Sequence, residues 1–162
     1  MILIAIGSNL ESSKYGSPKE NCIAVINILK KKFNVQSISK FYKTEPIPKS
    51  EQPWFVNAVI EIRTELSPID ILKTLLSIES DFKRTRKNKN EARVIDLDLI
   101  SYENQVIKSR ELTIPHPRMH LRKFVIKPIC DINKNWEHPK LKKKASIILK
   151  ELAKQKIMSI NK

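Results

Sequence analysis

The stretch Arg93-Val94-Ile95-Asp96-Leu97-Asp98-Leu99-Ile100 alternates aliphatic and acidic side chains. A period of two belongs to a strand with one apolar and one polar face. Ile95, Leu97 and Leu99 are predicted to face a core, and Asp96 and Asp98 to share the opposite side. At a rise of about 3.3 Å per residue their Cα atoms stand about 6.6 Å apart, within reach of a common metal cluster. Two like charges so placed repel unless a cation lies between them, and Mg²⁺ is the hard cation that takes carboxylate and phosphate oxygens together. A bare Asp-x-Asp also fits the solvated face of an edge strand, so the rest of the chain has to decide between the two.

Working outward, Ile2 to Ile6 reads as a buried strand that ends at Gly7-Ser8-Asn9. A helix is predicted from about Lys19 to Phe33, where Cys22, Val25, Ile26, Leu29 and Phe33 recur at helical spacing. Val35 to Lys43 reads as one strand, followed by a proline-rich loop from Thr44 to Pro53. Trp54 to Thr64 alternates again, with Trp54, Val56, Ala58, Ile60 and Ile62 toward the core and Phe55, Asn57 and Val59 away from it. Ser67-Pro68-Ile69-Asp70 is a helix start, with a capping serine, a proline at the first position and an acid in the first turn. That helix is predicted to reach Phe82. Lys83 to Asn90 is a basic loop without an apolar residue, placed to close over a phosphate ligand. After the aspartate strand come a turn at Tyr102–Gln105, a short partner strand at Val106-Ile107, and a second fixed loop at Thr113–Pro117. A helix and a strand are expected between Arg118 and Asp131, and a last helix from Ser146 to Lys154.

Strand, helix, strand, strand, helix, strand is the βαββαβ order of an α+β, ferredoxin-like sandwich, an antiparallel sheet with helices on one face and an open ligand-binding face. Strand parity puts Phe55, Asn57, Asp96 and Asp98 together on the open face: an aromatic, an amide and two acids in one concavity, the composition of a small-molecule site.

The chain has 162 residues, 41% of them hydrophobic, which suits one folded domain spanning 1–162 with a real core. Its formal charge of +14 calls either for a polyanionic partner or for nothing beyond surface lysine. The arginines are fewer and more telling, because their planar fork suits phosphate oxygens. There are seven, Arg63, Arg84, Arg86, Arg93, Arg110, Arg118 and Arg122, six of them beyond position 80. Cys22 and Cys130 show neither disulfide nor metal spacing, which fits reduced thiols in the cytoplasm. Met1 to Ile6 lacks the basic leader of a signal peptide, and no apolar run approaches a membrane span. With two glycines and no Gly-x-x-x-x-Gly-Lys segment, a Walker-type phosphate loop is excluded. A nucleotide here has to be held by side chains and metal.

Gly7-Ser8-Asn9, Thr44-Glu45-Pro46, Gln52-Pro53 followed by Phe55 and Asn57-Ala58, Arg93 ahead of Asp96-Leu97-Asp98, Pro115-His116-Pro117, Arg122 and Phe124 together resemble the 6-hydroxymethyl-7,8-dihydropterin pyrophosphokinase family, from the first strand to about Asp131. The resemblance implies a ferredoxin-like fold and Mg²⁺-dependent transfer of diphosphate from ATP to a pterin hydroxymethyl group in folate synthesis. It implies that Asp96 and Asp98 bind two Mg²⁺ ions, with Asp96 also near the pterin hydroxymethyl group. The pterin would lie between Phe55 and Phe124, its polar edge read by Asn57 and the segment around Thr44, Pro46 and Ile47. Stacking of that kind adds about 0.5–1.5 kcal/mol per aromatic pair beyond burial. Arg84, Arg86, Arg93, His116 and Arg122 would hold phosphates, Arg84 and Arg93 in a catalytic role, with Glu79, Leu99 and Thr113 bordering the nucleotide. Diphosphate transfer asks for positioning and charge neutralisation more than for a strong base.

Some positions depart from the family pattern. The Trp-Gly-Pro-Arg run that precedes the aspartates in most members is Asn90-Glu91-Ala92-Arg93 here, so the stacking tryptophan is missing. Phe55 stands where tyrosine is frequent, and Glu45 where a second proline is frequent. The implied partners are ATP and the hydroxymethyl pterin, with a monomer expected and no membrane. An RNA-binding module on the open sheet face is the competing reading, and a purely structural domain the third. Two acids on that face repel a phosphate backbone, which disfavours nucleic acid.

Overall fold

The computed structural model describes residues 1–46, 49–82 and 94–160. Of the residues singled out above, Ile47, Arg84, Arg86 and Arg93 lie outside them, as does the basic loop.

The chain opens with β1 (Ile2–Ser8) and α1 (Pro18–Lys32). Ser17 caps α1: its hydroxyl accepts the Glu20 N–H while Glu20 accepts the Ser17 N–H, the reciprocal pair that satisfies two donors at a helix start. Next come β2 (Asn34–Ile38), β3 (Phe41–Thr44), β4 (Phe55–Arg63) and α2 (Pro68–Asp81). α2 is capped by Ser67, which accepts from Asp70 N–H at 3.2 Å. β5 (Asp96–Tyr102) carries the two aspartates. β6 (Ile107–Lys108), β7 (Thr113–Ile114), a 3-10 turn at Met119–Leu121, α3 (Lys123–Asn133), α4 (Ala145–Glu151) and β8 (Ile157–Ile160) complete the described chain.

The main sheet runs β5-β1-β4-β3-β8, with β2 also paired to β4. β1 is antiparallel to both β4 and β5, so the first strand is central and the aspartate strand lies at an edge. This is the ferredoxin-like arrangement. α1 and α2 cover one face, burying Ile4, Ile6, Val25, Leu29, Ile60, Ile71, Leu75 and Leu97 in one cluster.

The other face is open over a smaller area than the alternation alone predicts. Leu3, Val59 and Ile100, at the same parity as the aspartates, pack against Met119, Ile126, Ile129, Trp136 and Ile148. Strands that are apolar on both sides need a second cover layer, and α3 and α4 supply it. The face stays open at the end where Gly7, Asn57 and Asp96 replace the aliphatic residues.

Several local expectations are corrected. The strand expected over 35–43 is two strands, because Ser39 interrupts it: its N–H donates to Val59 O and its hydroxyl accepts from Val59 N–H, each at 2.9 Å. Trp54 precedes β4 and is 36% exposed, where a core position was expected. The short strand after the aspartates pairs with β7 and not with β5. Between Arg118 and Asp131 there is no strand; a 3-10 turn leads into α3, which buries Val125, Ile126 and Ile129. β8, not foreseen, extends the sheet beside β3.

Candidate active site

The site is built on β1 and its two neighbours. Gly7 stands opposite Asn57 on β4 and opposite Asp96 on β5, and Ala5 opposite Val59 and Asp98. The two smallest side chains of β1 therefore form the floor of a trough, with an amide on one bank and carboxylates on the other. A Cβ on Gly7 would stand 3.1 Å from Asn57 Oδ1 and 3.8 Å from Phe55 Cδ1, so the amide uses the space the glycine leaves. α3 and the 3-10 turn roof the trough, giving a cleft of about 150 Å³.

One end of the cleft is flat and amide-lined. Phe55, Asn57, Thr44, Pro46 and Gln52 meet there, with Phe124 and Val125 across from them on α3. Asn57 Nδ2 donates to Thr44 Oγ1 at 2.7 Å, which fixes the orientation of a buried carboxamide whose oxygen faces Gly7. The other end is charged, with Asp96, Asp98, His116 and Arg122. The Arg122 guanidinium carbon lies 5.6 Å from the Phe124 ring centre, within cation–π range, so the cation also supports the aromatic wall.

His116 is held from both sides. Its backbone N–H donates to Ile100 O at 3.0 Å, and its Nδ1 accepts the Arg118 N–H at 3.2 Å. Nδ1 is thus an acceptor, and the neutral ring carries its proton on Nε2. Burial lowers the imidazole pKa to about 4, helped by Arg122 and Arg118 and opposed by Asp96. At neutral pH the ring is a neutral hydrogen-bond donor beside the acids.

The donor set fits a hard cation: two half-buried carboxylates share one face of one strand, and the imidazole beside them accepts a backbone N–H at Nδ1 and so presents a protonated Nε2.

Of the residues predicted from the sequence, the cleft brings together Thr44, Pro46, Phe55, Asn57, Asp96, Asp98, His116, Arg122 and Phe124. Three others are elsewhere. Leu99 points into the main core, as its parity with Leu97 requires. Thr113 is exposed on β7. Glu79 is buried behind the aspartate strand, where Oε2 accepts the Leu97 N–H at 2.7 Å. The cleft also takes in Ala5, Gly7, Glu45, Gln52, Met119 and Val125. Parity with Leu3 could have assigned Ala5 and Gly7 to this face. Met119 and Val125 arrive with the second cover layer, whose need the apolar residues of this face signal but whose identity the strand pattern does not give.

Comparison with known proteins gives a consistent picture. The sequence model of 7,8-dihydro-6-hydroxymethylpterin-pyrophosphokinase (HPPK) matches residues 3–134. A 2-amino-4-hydroxy-6-hydroxymethyldihydropteridine pyrophosphokinase of Haemophilus influenzae is 39% identical over 154 residues, 94% of this chain and 90% of the relative. The folic acid synthesis protein FOL1 of Dictyostelium discoideum is 38% identical over 141 residues, 87% of this chain and 21% of the longer protein. In three dimensions the chain resembles wild-type Plasmodium falciparum HPPK-DHPS crystallised with pteroate, with a TM-score of 0.68 at 11% identity over 93% of this chain. This chain spans 42% of that one, and at such identity the likeness concerns the fold.

Proposed function

The chain belongs to the 7,8-dihydro-6-hydroxymethylpterin-pyrophosphokinase family, and on that premise we propose that it transfers the terminal diphosphate of ATP to the hydroxymethyl oxygen of 6-hydroxymethyl-7,8-dihydropterin and releases AMP. The observation that carries this reading is the division of one cleft into an aromatic and amide end, with Phe55, Asn57 and Phe124, and an acidic and basic end, with Asp96, Asp98, His116 and Arg122. A flat heterocycle fits the first and a metal-bound polyphosphate the second.

Phe55 and Phe124 take the ring faces of the pterin, and Asn57 reads its edge from an orientation set by Thr44. That places the hydroxymethyl group toward the aspartate end. Asp96 and Asp98 hold Mg²⁺, in our reading two ions with ATP. The metal, when bound, neutralises phosphate oxygens and the charge that moves onto the departing AMP. Arg122 adds a fixed cation and His116 a neutral N–H donor against the same phosphates. The new bond joins the hydroxymethyl oxygen to the β-phosphorus as the hydroxyl proton is released to solvent, and the bond from that phosphorus to the oxygen shared with the α-phosphate breaks, that oxygen leaving with AMP. α3 and the 3-10 turn keep water from the pterin end. Arg84, Arg86 and Arg93 would add phosphate contacts by family resemblance.

Cys22 and Cys130 are both free thiols, and no helix among the described residues is long and apolar enough to cross a membrane. We propose further that the enzyme works in the cytoplasm as a monomer. Nothing in the cleft favours the RNA-binding alternative, since carboxylates occupy the face that would meet the phosphates.

The test is direct. Purified protein with Mg²⁺, ATP and 6-hydroxymethyl-7,8-dihydropterin should form AMP and pterin diphosphate in equal amounts. AMP no higher than in the control without pterin would overturn the assignment.

A further inference from the structure

Asn9 follows the last residue of β1 and is 1% exposed, though it is not a wall of the cleft. Its Nδ2 donates to Gln52 Oε1 at 3.2 Å and to Pro53 O at 3.1 Å, reaching 43 and 44 positions along the chain. Gln52 does line the cleft, beside Pro46 and Asn57. The turn that bears Asn9 is itself pinned. Asn21 of α1, fully buried, donates to Leu10 O at 2.9 Å and to Ser8 Oγ at 3.4 Å, and accepts from Ser12 Oγ at 2.6 Å. A chain of buried amides and hydroxyls thus runs from α1 through the end of β1 to the segment that leads into β4.

We propose that Asn9 is a positioning residue for the pterin: it anchors Gln52-Pro53 to the central strand and sets which way the Gln52 amide presents itself to the substrate. The proposal rests on the reading of this end of the cleft as the pterin end. An amide whose oxygen is engaged by a buried donor cannot rotate freely, so its edge facing the ligand is defined before binding. Without that anchor, each pterin that binds has to order Gln52 as well. The loss then falls on pterin affinity and spares ATP, whose charged end of the cleft lies across β1.

Asn9→Ala and Asn9→Asp, the latter isosteric but unable to donate as a carboxylate, should each raise KM for the pterin about tenfold, the scale of one or two lost hydrogen bonds. KM for ATP and kcat should stay within about twofold of wild type, because the lost contact is made before the transition state and not only in it. Gln52→Ala should also raise the pterin KM, and the Asn9→Ala/Gln52→Ala double variant should fall short of the product of the two single effects, since the Asn9–Gln52 contact is lost in both. Thermal unfolding run alongside separates this split from a lower fraction of folded protein, which would reduce apparent kcat and leave both KM values unchanged. Unchanged pterin KM in a folded Asn9→Asp, equal losses for both substrates, or additive single variants would each overturn the proposal while leaving the activity intact. Wild-type protein without pterin-dependent AMP would overturn the activity and this proposal together.

Discussion

Glu79→Ala removes a carboxylate that substitutes for a missing strand. β5 ends the main sheet among the described residues, and on its outer side Glu79 Oε2 accepts the Leu97 N–H at 2.7 Å. With Glu79 only 6% exposed, water does not easily replace that acceptor. A hydrogen bond to a charged partner contributes about 1.5–3 kcal/mol, and an orphaned buried N–H costs a similar amount, so losing the bond to Leu97 costs about 2–3 kcal/mol. Proteins of this size shift their melting point by about 2–4 °C per kcal/mol, which predicts a drop of about 5–10 °C for Glu79→Ala. Glu79→Gln keeps a carbonyl oxygen without the charge and should lose about half as much. Circular dichroism melts of the three proteins at pH 7.5, with calorimetric titration of a non-hydrolysable ATP analogue and Mg²⁺, measure both consequences. Leu97 lies between Asp96 and Asp98 in the strand, so weaker nucleotide binding should accompany the lower melting point. A Glu79→Ala protein that melts with wild type would refute this account of β5. Reduced ATP affinity at unchanged stability would move Glu79 to the nucleotide border that the family resemblance implies.

Asp96→Asn and Asp98→Asn should each abolish pterin-dependent AMP formation while leaving the melting point at or above that of wild type, because the like-charge pair is relieved; full activity in either would make the pair ordinary surface acids. Phe124→Ala should weaken pterin binding by about 1–3 kcal/mol in calorimetry with an ATP analogue present, and an unchanged affinity would dismiss the two-ring clamp. His138 is 2% exposed, with Nδ1 accepting the Lys140 and Leu141 N–H groups at 3.2 and 3.1 Å, and burial lowers its pKa to about 4. The folded state then binds fewer protons than the unfolded chain, so stability is full above about pH 6.5, declines toward pH 4 and levels off below; at pH 5 the loss is about 2 kcal/mol. Urea unfolding at pH 7.5 and 5.0 measures it; His116, lowered likewise to about 4, adds a loss of similar size, so His138→Gln is expected to cut the total difference to about half, and an equal difference in that variant would count against His138 as a source.

The sequence alone determined what depends on neighbours along the chain. Ser67 marks the start of α2 because a cap is a contact over three residues, and the alternation of Ile95, Leu97 and Leu99 with Asp96 and Asp98 assigns each side chain to a face of β5. That cap and that alternation, with the spacing of Phe55 and Asn57, were enough to put Phe55, Asn57, Asp96 and Asp98 on one face and to give the order of the sandwich. Tertiary structure decided what fills an edge or covers a face. Leu3, Val59 and Ile100 signal that the second face needs cover, but only the packed chain shows that α3 and α4 supply it and bring Met119, Arg122 and Phe124 over the trough. β8 joins β3 more than a hundred residues away in sequence, and Glu79 of α2 caps the Leu97 N–H at the outer edge of β5. Gln52 takes its place through Asn9. Such contacts depend on which distant surfaces the closed core brings within reach, and a one-dimensional pattern of side chains carries no record of that choice.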